Sequence, residues 1–549
     1  MARSYGRLLR CFSLDLPMTR NDQAAGQAQP NWITRLLNTV EWLGNLLPHP
    51  VTLFALLALG ILLVSGVLGW MDISVADPRP EGTTGRAEDG VIRVISLLDP
   101  EGLRRIVTNL VTNFTGFVPL GTVLVAMLGV GIAERSGLLT AAIKLLVLGA
   151  PKNLVTVVVV FAAMMSNTAS EMGYVVVIPL AAAIFHALGR HPLAGLAAAF
   201  AGVSGGYSAN LLIGTVDPLL AGITQEAAAL IHPGYEVHAA VNWYFMIAST
   251  FIVTGLGWFV TAKIVEPKLG AYDPSKLDET AEPISMDPVS ATERRALAWS
   301  GLVALVVSIG IALLVVPSGA WLRLPGMEDD TLASLRPFLT GIVVLVAVFF
   351  AIPGIVYGAL TGEFRNDRDV INAMAKSMST MGLYIVLVFF AAQFVAFFNW
   401  TQLGQVVAVV GSNSLQAIGL TGPLVFLPFI IICAIINLSL GSASAQWAVT
   451  APIFVPMLML IGYSPEVIQA AYRIGDSVTN IITPMMSYFG LILAFATRYQ
   501  KDIGVGTLIA MMLPYSVVFF IGWSVLFFLW VFGLGLPVGP GAPTYYTPG

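Results

Sequence analysis

The sequence predicts an all-α polytopic membrane protein with about nine transmembrane helices and two re-entrant hairpins. Three observations predict it. The 549 residues are 57% hydrophobic and only 11% charged, against about 25% charged residues in an ordinary soluble domain. Mean hydropathy is +0.83, more apolar surface than a soluble fold can hide. The apolar runs reach about 20 residues or more, and about 20 helical residues span the hydrocarbon core. A transmembrane barrel shows alternating segments of about 10 residues instead.

Residues 1–45 carry Arg3, Arg7 and Arg10 but no apolar core with a cleavage site behind them, so they read as a cytoplasmic tail. The apolar elements fall at 50–72, 117–135, 153–187, 192–216, 241–265, 296–317, 337–360, 378–400, 423–461, 465–497 and 508–535. Most are ordinary spans. Residues 153–187 are too long for one span and are interrupted by Ser166-Asn167-Thr168-Ala169-Ser170-Glu171. Residues 423–461 carry a similar break over Asn437-Leu438-Ser439-Leu440-Gly441-Ser442-Ala443-Ser444. Each is either two full helices or a hairpin that turns back inside the membrane.

Lys and Arg decide, because cytoplasmic loops carry their excess. With two hairpins and nine spans, 19 of the 27 basic residues lie inside, and only the loop at 73–117 departs strongly from the rule. Making the first hairpin alone a full crossing would move the basic loop at 365–376 outside. The expected layout is therefore a first half over 46–265, with hairpin 153–187 and broken helix 192–216. A cytoplasmic linker follows over 266–295. The second half covers 296–535, with hairpin 423–461 and broken helix 465–497. Residues 536–549 form a periplasmic tail.

An internal repeat accompanies this layout. A shift of 273 residues places Pro179 on Pro452, Pro192 on Pro465, Gly189 on Gly462, Gly202 on Gly475, Ser204 on Ser477 and Tyr174 on Trp447. Each copy is a hairpin followed by a helix broken in mid-membrane, at Gly202–Asn210 and at Gly475–Asn480, with Pro484 beyond. In the expected topology the copies have opposite orientation. Inverted repeats with discontinuous helices mark secondary transporters.

Irregular backbone at membrane depth is tolerated where it is buried in protein or lines a wet cavity. Four such breaks at similar depth would enclose one site. Half-helix N-termini there suit an anionic group, and exposed carbonyls suit a cation. Ser166, Asn167, Thr168, Asn437 and Ser439 add neutral oxygens, which hard cations prefer; a sodium ion at each hairpin tip fits them. Helix capping by the same side chains is the plainer reading.

The charged residues are more specific. Arg473 and Asp476 are three apart on the second broken helix and share a face. Either they form a structural ion pair, or Arg473 takes a substrate carboxylate while Asp476 binds a cation or a proton. Asp217, in Gly214-Thr-Val-Asp-Pro218, either caps a turn near the outer surface or belongs to the pathway. Glu171 is either a ligand or a helix-start acid. Trp447, just past the second tip, either packs or stacks on a ring-bearing substrate.

Other classes are disfavoured. A net charge of −4 points to no nucleic-acid partner. Cys11 and Cys433 alone make no disulfide framework or Cys-based zinc site. The five histidines have no metal-ligand spacing, and no phosphate-cradling Gly-x4-Gly-Lys-Ser/Thr loop is present. An ion gradient, with no cofactor beyond a coupling sodium, is the expected energy source. A channel would lack the need for two occluding hairpins. An intramembrane hydrolase built on Asp217 and Asp476 has no supporting catalytic pattern, so the chain reads as no enzyme.

The motifs Ser166-Asn-Thr-Ala-Ser-Glu-Met-Gly-Tyr174, Gly205-Gly-Tyr-Ser-Ala-Asn210 and Ala470-Ala-Tyr-Arg-Ile-Gly-Asp-Ser477 resemble the AbgT family of bacterial p-aminobenzoyl-glutamate transporters, some members of which export sulfonamide antimetabolites. The resemblance runs from about residue 35 to 535. It implies an inner-membrane homodimer with nine spans and two hairpins, an architecture like that of the ion-transporter superfamily. It also implies that binding and transport residues fall on Asp217, Ser444, Trp447, Pro465, Arg473, Asp476 and Pro484, with Asn437 beside a sodium site at Asp476. The Ser-Asn-Thr tip resembles, more distantly, the sodium-coupled dicarboxylate carriers. The expected function is ion-coupled transport of p-aminobenzoyl-glutamate or related antimetabolites, with sodium-coupled dicarboxylate transport as the alternative.

Overall fold

The computed structural model describes residues 48–83, 86–169, 173–273, 288–327 and 331–547. The expected N-terminal tail over 1–45, Glu171 and much of the 266–295 linker lie outside the described residues. The helices of nine residues or more are α1 (Pro50–Trp70), α2 (Pro100–Thr115), α3 (Val118–Arg135), α4 (Leu138–Leu148), α5 (Val155–Met165), α6 (Ile178–Ala187), α7 (Pro192–Phe200), α8 (Val216–Ala228), α9 (Trp243–Val260) and α10 (Ala291–Val315). After them come α11 (Arg336–Thr361), α12 (Asp367–Thr380), α13 (Gly382–Trp400), α14 (Leu403–Ala417), α15 (Phe426–Leu440), α16 (Ala443–Leu460), α17 (Pro465–Thr479), α18 (Phe489–Tyr499) and α19 (Val505–Phe527).

Among the described residues, nine helices are long and apolar enough to cross a membrane. The number is the expected one, but length and apolarity select a different set. Seven coincide, among them α1, α10, α11 and α13. The other two are the arms of the second hairpin, Pro423–Leu440 and Ala443–Leu460, at 18 residues each. The two broken helices drop out because each leaves the helical path early, at Gly205 and at Thr479. The short β1 (Ser74–Ala76) and β2 (Val91–Arg93) pair antiparallel in the loop after α1, a ribbon the hydropathy pattern did not announce.

Burial separates lipid-facing helices from core helices. In α1 only Phe54, Ala58 and Ser65 are buried, and in α10 only Ala296 and Ser300. Every residue of α17 is buried, including its charged ones, so this helix is the centre of the protein. Helix starts follow the sequence: Pro stands in the first turn of α1, α7 and α17, where its missing N–H costs no bond. The Ser464 hydroxyl accepts the Val467 N–H and caps α17.

The repeat is visible in packing. Gly189 and Gly462 both have positive φ, +71° and +99°, in the turns that lead into α7 and α17. A Cβ at Gly202 would lie 2.7 Å from the Val160 carbonyl oxygen and 2.6 Å from Ala163 Cβ. A Cβ at Gly475 would lie 2.6 Å from the Ile430 carbonyl oxygen and 2.7 Å from Cys433 Cβ. Val160 and Cys433 are themselves 273 residues apart. The two glycines therefore serve the same close approach, of the broken helix onto the first arm of its own hairpin.

That use of glycine also corrects one expectation. Gly475 does not break the second helix. It remains helical, and the break comes at Asn480–Tyr488, around Pro484. In the first repeat the break falls as expected: α7 passes into a π-helical turn over Ala201–Gly205, and the chain is non-helical from there to α8. The C-terminal segment is not a loose tail. It crosses from the start of α9 to the start of α17: Phe245 N–H donates to the Val538 carbonyl, and Ser464 N–H to the Thr544 carbonyl. The Tyr546 N–H reaches the Gly462 carbonyl.

Candidate functional site

The two hairpin tips engage the two broken helices in the same way. Asn167 Nδ2 donates to the Val203 carbonyl at 2.9 Å, and Asn437 Nδ2 donates to the Asp476 carbonyl at 2.7 Å. Val203 and Asp476 are equivalent under the 273-residue shift. Both amide oxygens, Asn167 Oδ1 and Asn437 Oδ1, are buried with no hydrogen-bond partner among the described residues. Asp476 Oδ2 and Ser477 Oγ share that condition. Buried oxygens without donors are costly, and sets of them suit a cation. Among the described residues, no group of three His, Cys, Asp or Glu side chains offers an alternative metal site. Ser166 and Thr168 are also at the first tip; their hydroxyls donate to the Ala163 carbonyl and to Asn210 Oδ1. Ser439 stands next to the second turn, which closes at Gly441 with φ +55°.

Along α17, Glu466, Gln469, Arg473, Asp476 and Asn480 recur at helical spacing and are all buried. Arg473 does not pair with Asp476. Its Nη2 lies 2.7 Å from Asp217 Oδ1, and its Nε donates to Asn242 Oδ1 at 3.0 Å. Arg473 Nη1 is buried with no hydrogen-bond partner among the described residues. Asp217 is buried as well, not at a surface, and its second oxygen accepts the Gly214 N–H at 2.7 Å. One oxygen thus braces the turn before α8 while the other neutralises Arg473. The reason is topology: α8 and α17 pack side by side, bringing together residues 256 positions apart. Asp476 turns the other way; the nearest donor to its Oδ1 is the Tyr472 hydroxyl at 3.5 Å.

Trp447 is fully buried. Its ring stacks on Tyr472 at 4.1 Å between centroids, and its Nε1–H donates to Thr224 Oγ1 at 2.9 Å. Thr224 in turn donates to Gln469 Oε1 at 2.6 Å. Pro465 opens α17, and Pro484 lies half-buried in the second break. Ser444 begins α16 beside its cap Ser442.

A cavity of about 390 Å³ lies between the tips and the breaks. Its walls include Asn167, Tyr174 and Tyr207 from the first repeat, and Ser442, Ser444, Asn480 and Tyr488 from the second. It extends to Glu134 and Arg135 at the end of α3 and to Thr380 at the end of α12. Of the residues singled out from sequence, Asn167 and Ser444 line this cavity; Trp447, Arg473, Asp217 and Asp476 are buried and do not line it. A volume of this size accommodates a small organic molecule.

Several members of the site lie outside the motifs visible in the sequence. Asn242 bridges Arg473 and the Glu466 carbonyl, donating to the latter at 2.8 Å. Glu466 is itself buried, and the Tyr235 hydroxyl meets its two oxygens at 3.0 and 3.1 Å. The spacing of Glu466 seven residues before Arg473 on one helix was the available signal. Nothing in the sequence pointed to Asn242, Thr224 or Tyr488.

Comparison with known proteins agrees with this architecture. The model of the AbgT putative transporter family matches residues 35–546. The p-aminobenzoyl-glutamate transport protein of Escherichia coli (strain K12) is 38% identical over 507 residues, 92% of this chain and 96% of the relative. The solved structure of MtrF from Neisseria gonorrhoeae, described as illuminating a class of antimetabolite efflux pumps, is 61% identical. It superimposes with a TM-score of 0.87, covering 93% of this chain and all of MtrF. The YdaH transporter of Alcanivorax borkumensis is 48% identical with a TM-score of 0.82, covering 90% of this chain and all of YdaH. The chain is therefore a multi-pass membrane protein and belongs to the AbgT putative transporter family.

Proposed function

We propose that this protein is an ion-coupled secondary transporter. It moves p-aminobenzoyl-glutamate or related aromatic antimetabolites, sulfonamides included, across the bacterial inner membrane by alternating access. The observation that carries the reading is the matched pair of asparagine-to-carbonyl contacts. Two related units present tip and break to one shared cavity, the arrangement expected where two repeats move against each other around a site.

The family's relatives supply the substrate class, and the chemistry of the site is consistent with it. The N-terminus of α16, with the Ser442 and Ser444 hydroxyls, faces the cavity and suits a carboxylate. Asn437, Asp476 and Ser477 hold oxygens suited to a coupling sodium ion, and Asn167 with Ser166 and Thr168 forms the counterpart at the first tip. Asp476 has no cationic partner within salt-bridge distance among the described residues, so it is the carboxylate free to exchange a cation or a proton. Arg473 is held by Asp217 and sets the field around it. In this reading the N-terminus lies in the cytoplasm and the C-terminus in the periplasm, and the protein works as a homodimer without enzymatic activity.

The test is Asp476→Asn in proteoliposomes. Gradient-driven flux of radiolabelled p-aminobenzoyl-glutamate is expected to vanish while the purified variant keeps its helical circular dichroism. Unchanged sodium or proton dependence of flux in that variant would overturn the assignment.

A further inference from the structure

We propose that the aromatic ring of the transported molecule binds against Tyr488, stacked on Tyr174, on the cavity wall, and that Trp447 is a packing residue behind that wall. The inference rests on the transport reading above and deepens it by naming the aryl subsite.

Four observations carry it. Tyr174 and Tyr488 both line the cavity, with centroids 4.6 Å apart and planes within 5° of parallel. The stack joins the two repeats, since Tyr174 follows the first tip and Tyr488 ends the second break. Tyr488 is half-buried, so it retains surface toward the cavity, and the neighbouring Ser487 is exposed on the same lining. Tyr174 is anchored: its hydroxyl donates to Ser204 Oγ at 3.2 Å, so the ring it presents to Tyr488 is fixed in place.

The same observations remove Trp447 from the surface. Tyr174 and Trp447 are equivalent under the internal repeat. In the second repeat the equivalent ring is covered by Tyr472, whose hydroxyl is bound to the Ala443 carbonyl at 2.6 Å. The indole N–H is spent on Thr224. Stacking a ligand on Trp447 would require displacing Tyr472 and breaking its bond to the tip. Tyr488 and Tyr174 already line the cavity, so a ligand reaches the pair without displacing Tyr472. Offset stacking asks only for a flat aromatic face, which the aminophenyl group supplies whatever its acyl or sulfonyl substituent.

The experiment uses the full chain in lipid nanodiscs and measures equilibrium binding of three probes: p-aminobenzoyl-glutamate, sulfanilamide and glutamate. For Tyr488→Leu, the Kd for both aryl probes is expected to rise about 3- to 10-fold, with glutamate unaffected. Tyr488→Phe, which keeps the ring, is expected to stay within about twofold for all three. Trp447→Phe is expected to change aryl and glutamate probes by the same factor. Aryl-selective loss in Trp447→Phe, with none in Tyr488→Leu, would overturn the proposal. Failure of wild type to bind either aryl probe would also overturn it. Binding of sulfanilamide without p-aminobenzoyl-glutamate, lost in Tyr488→Leu, would uphold the subsite while removing the glutamate conjugate as substrate.

Discussion

Asp217 and Arg473 tie the first repeat to the second, and their removal has a definite signature. The guanidinium and carboxylate are 2.7 Å apart, with side-chain exposures of 2% and 3%. Asp217→Asn leaves the arginine without an anion in the protein interior and turns an amide donor or a weak acceptor toward it. Breaking one member of a buried pair costs about 3–5 kcal/mol, because the other charge remains desolvated. Arg473→Gln leaves Asp217 in the same position, so its cost is similar. The double variant holds two neutral amides and loses the pair without stranding a charge. Its destabilisation is therefore expected to fall below the sum of the single losses by at least about 2 kcal/mol. Unfolding titrated with sodium dodecyl sulfate in bicelles gives all four corners of the cycle. Single losses that add to within about 0.5 kcal/mol would refute the argument, since they would mean that the two groups do not sense each other.

Three further predictions follow from the packing and the titratable groups. Gly202→Ala and Gly475→Ala force a methyl against backbone, at 2.7 and 2.6 Å from carbonyl oxygens, and each is expected to destabilise by about 1–3 kcal/mol. Gly301→Ala on α10 meets nothing within 4 Å and is expected to be neutral or to stabilise by up to about 1 kcal/mol. Asn437→Ala removes the donor to the Asp476 carbonyl together with an unpartnered oxygen; if that oxygen binds sodium, the sodium concentration for half-maximal flux is expected to rise at least tenfold, and no rise would count against it. His238, in the loop between α8 and α9, accepts the Ala240 N–H on Nδ1 and contacts the Pro540 carbonyl through Nε2. Both bonds are met by the neutral ring with its proton on Nε2, and burial pushes the pKa down to about 4. The unfolded or detached loop titrates near 6.5, so the stability this contact gives is present above pH 6.5 and is lost as pH falls through about 4. Hydrogen exchange of residues 536–547 is expected to accelerate over that range, beyond the intrinsic pH effect, and to lose this dependence in His238→Gln.

The parts of the fold visible in the sequence are those set by local composition. Lipid-facing helices such as α1 and α10 show because nearly all their residues are apolar. The repeat shows because Gly202 and Gly475 answer the same steric demand from Val160 and Cys433, and Pro192 and Pro465 start equivalent helices. What was not visible depends on contacts between distant segments. Arg473 has a carboxylate three residues away on its own helix, yet it pairs with Asp217, 256 residues distant, because α8 lies alongside. Trp447 carries the composition of a stacking residue but is covered by Tyr472. Gly475 reads as a helix breaker, and only the neighbouring α15 reveals it as a packing glycine. The C-terminal segment looks like a tail because bonds that fix it go to distant segments, to His238, to Phe245 and to residues 462–464.

The most direct test of coupled transport is flux of radiolabelled p-aminobenzoyl-glutamate into and out of liposomes holding the purified protein, with sodium and proton gradients imposed separately. One of these gradients is expected to drive net movement against the substrate gradient, and Asp476→Asn is expected to abolish it. Flux that only follows the substrate gradient, with neither ion able to reverse it, would contradict ion coupling and leave the cavity as a passive route.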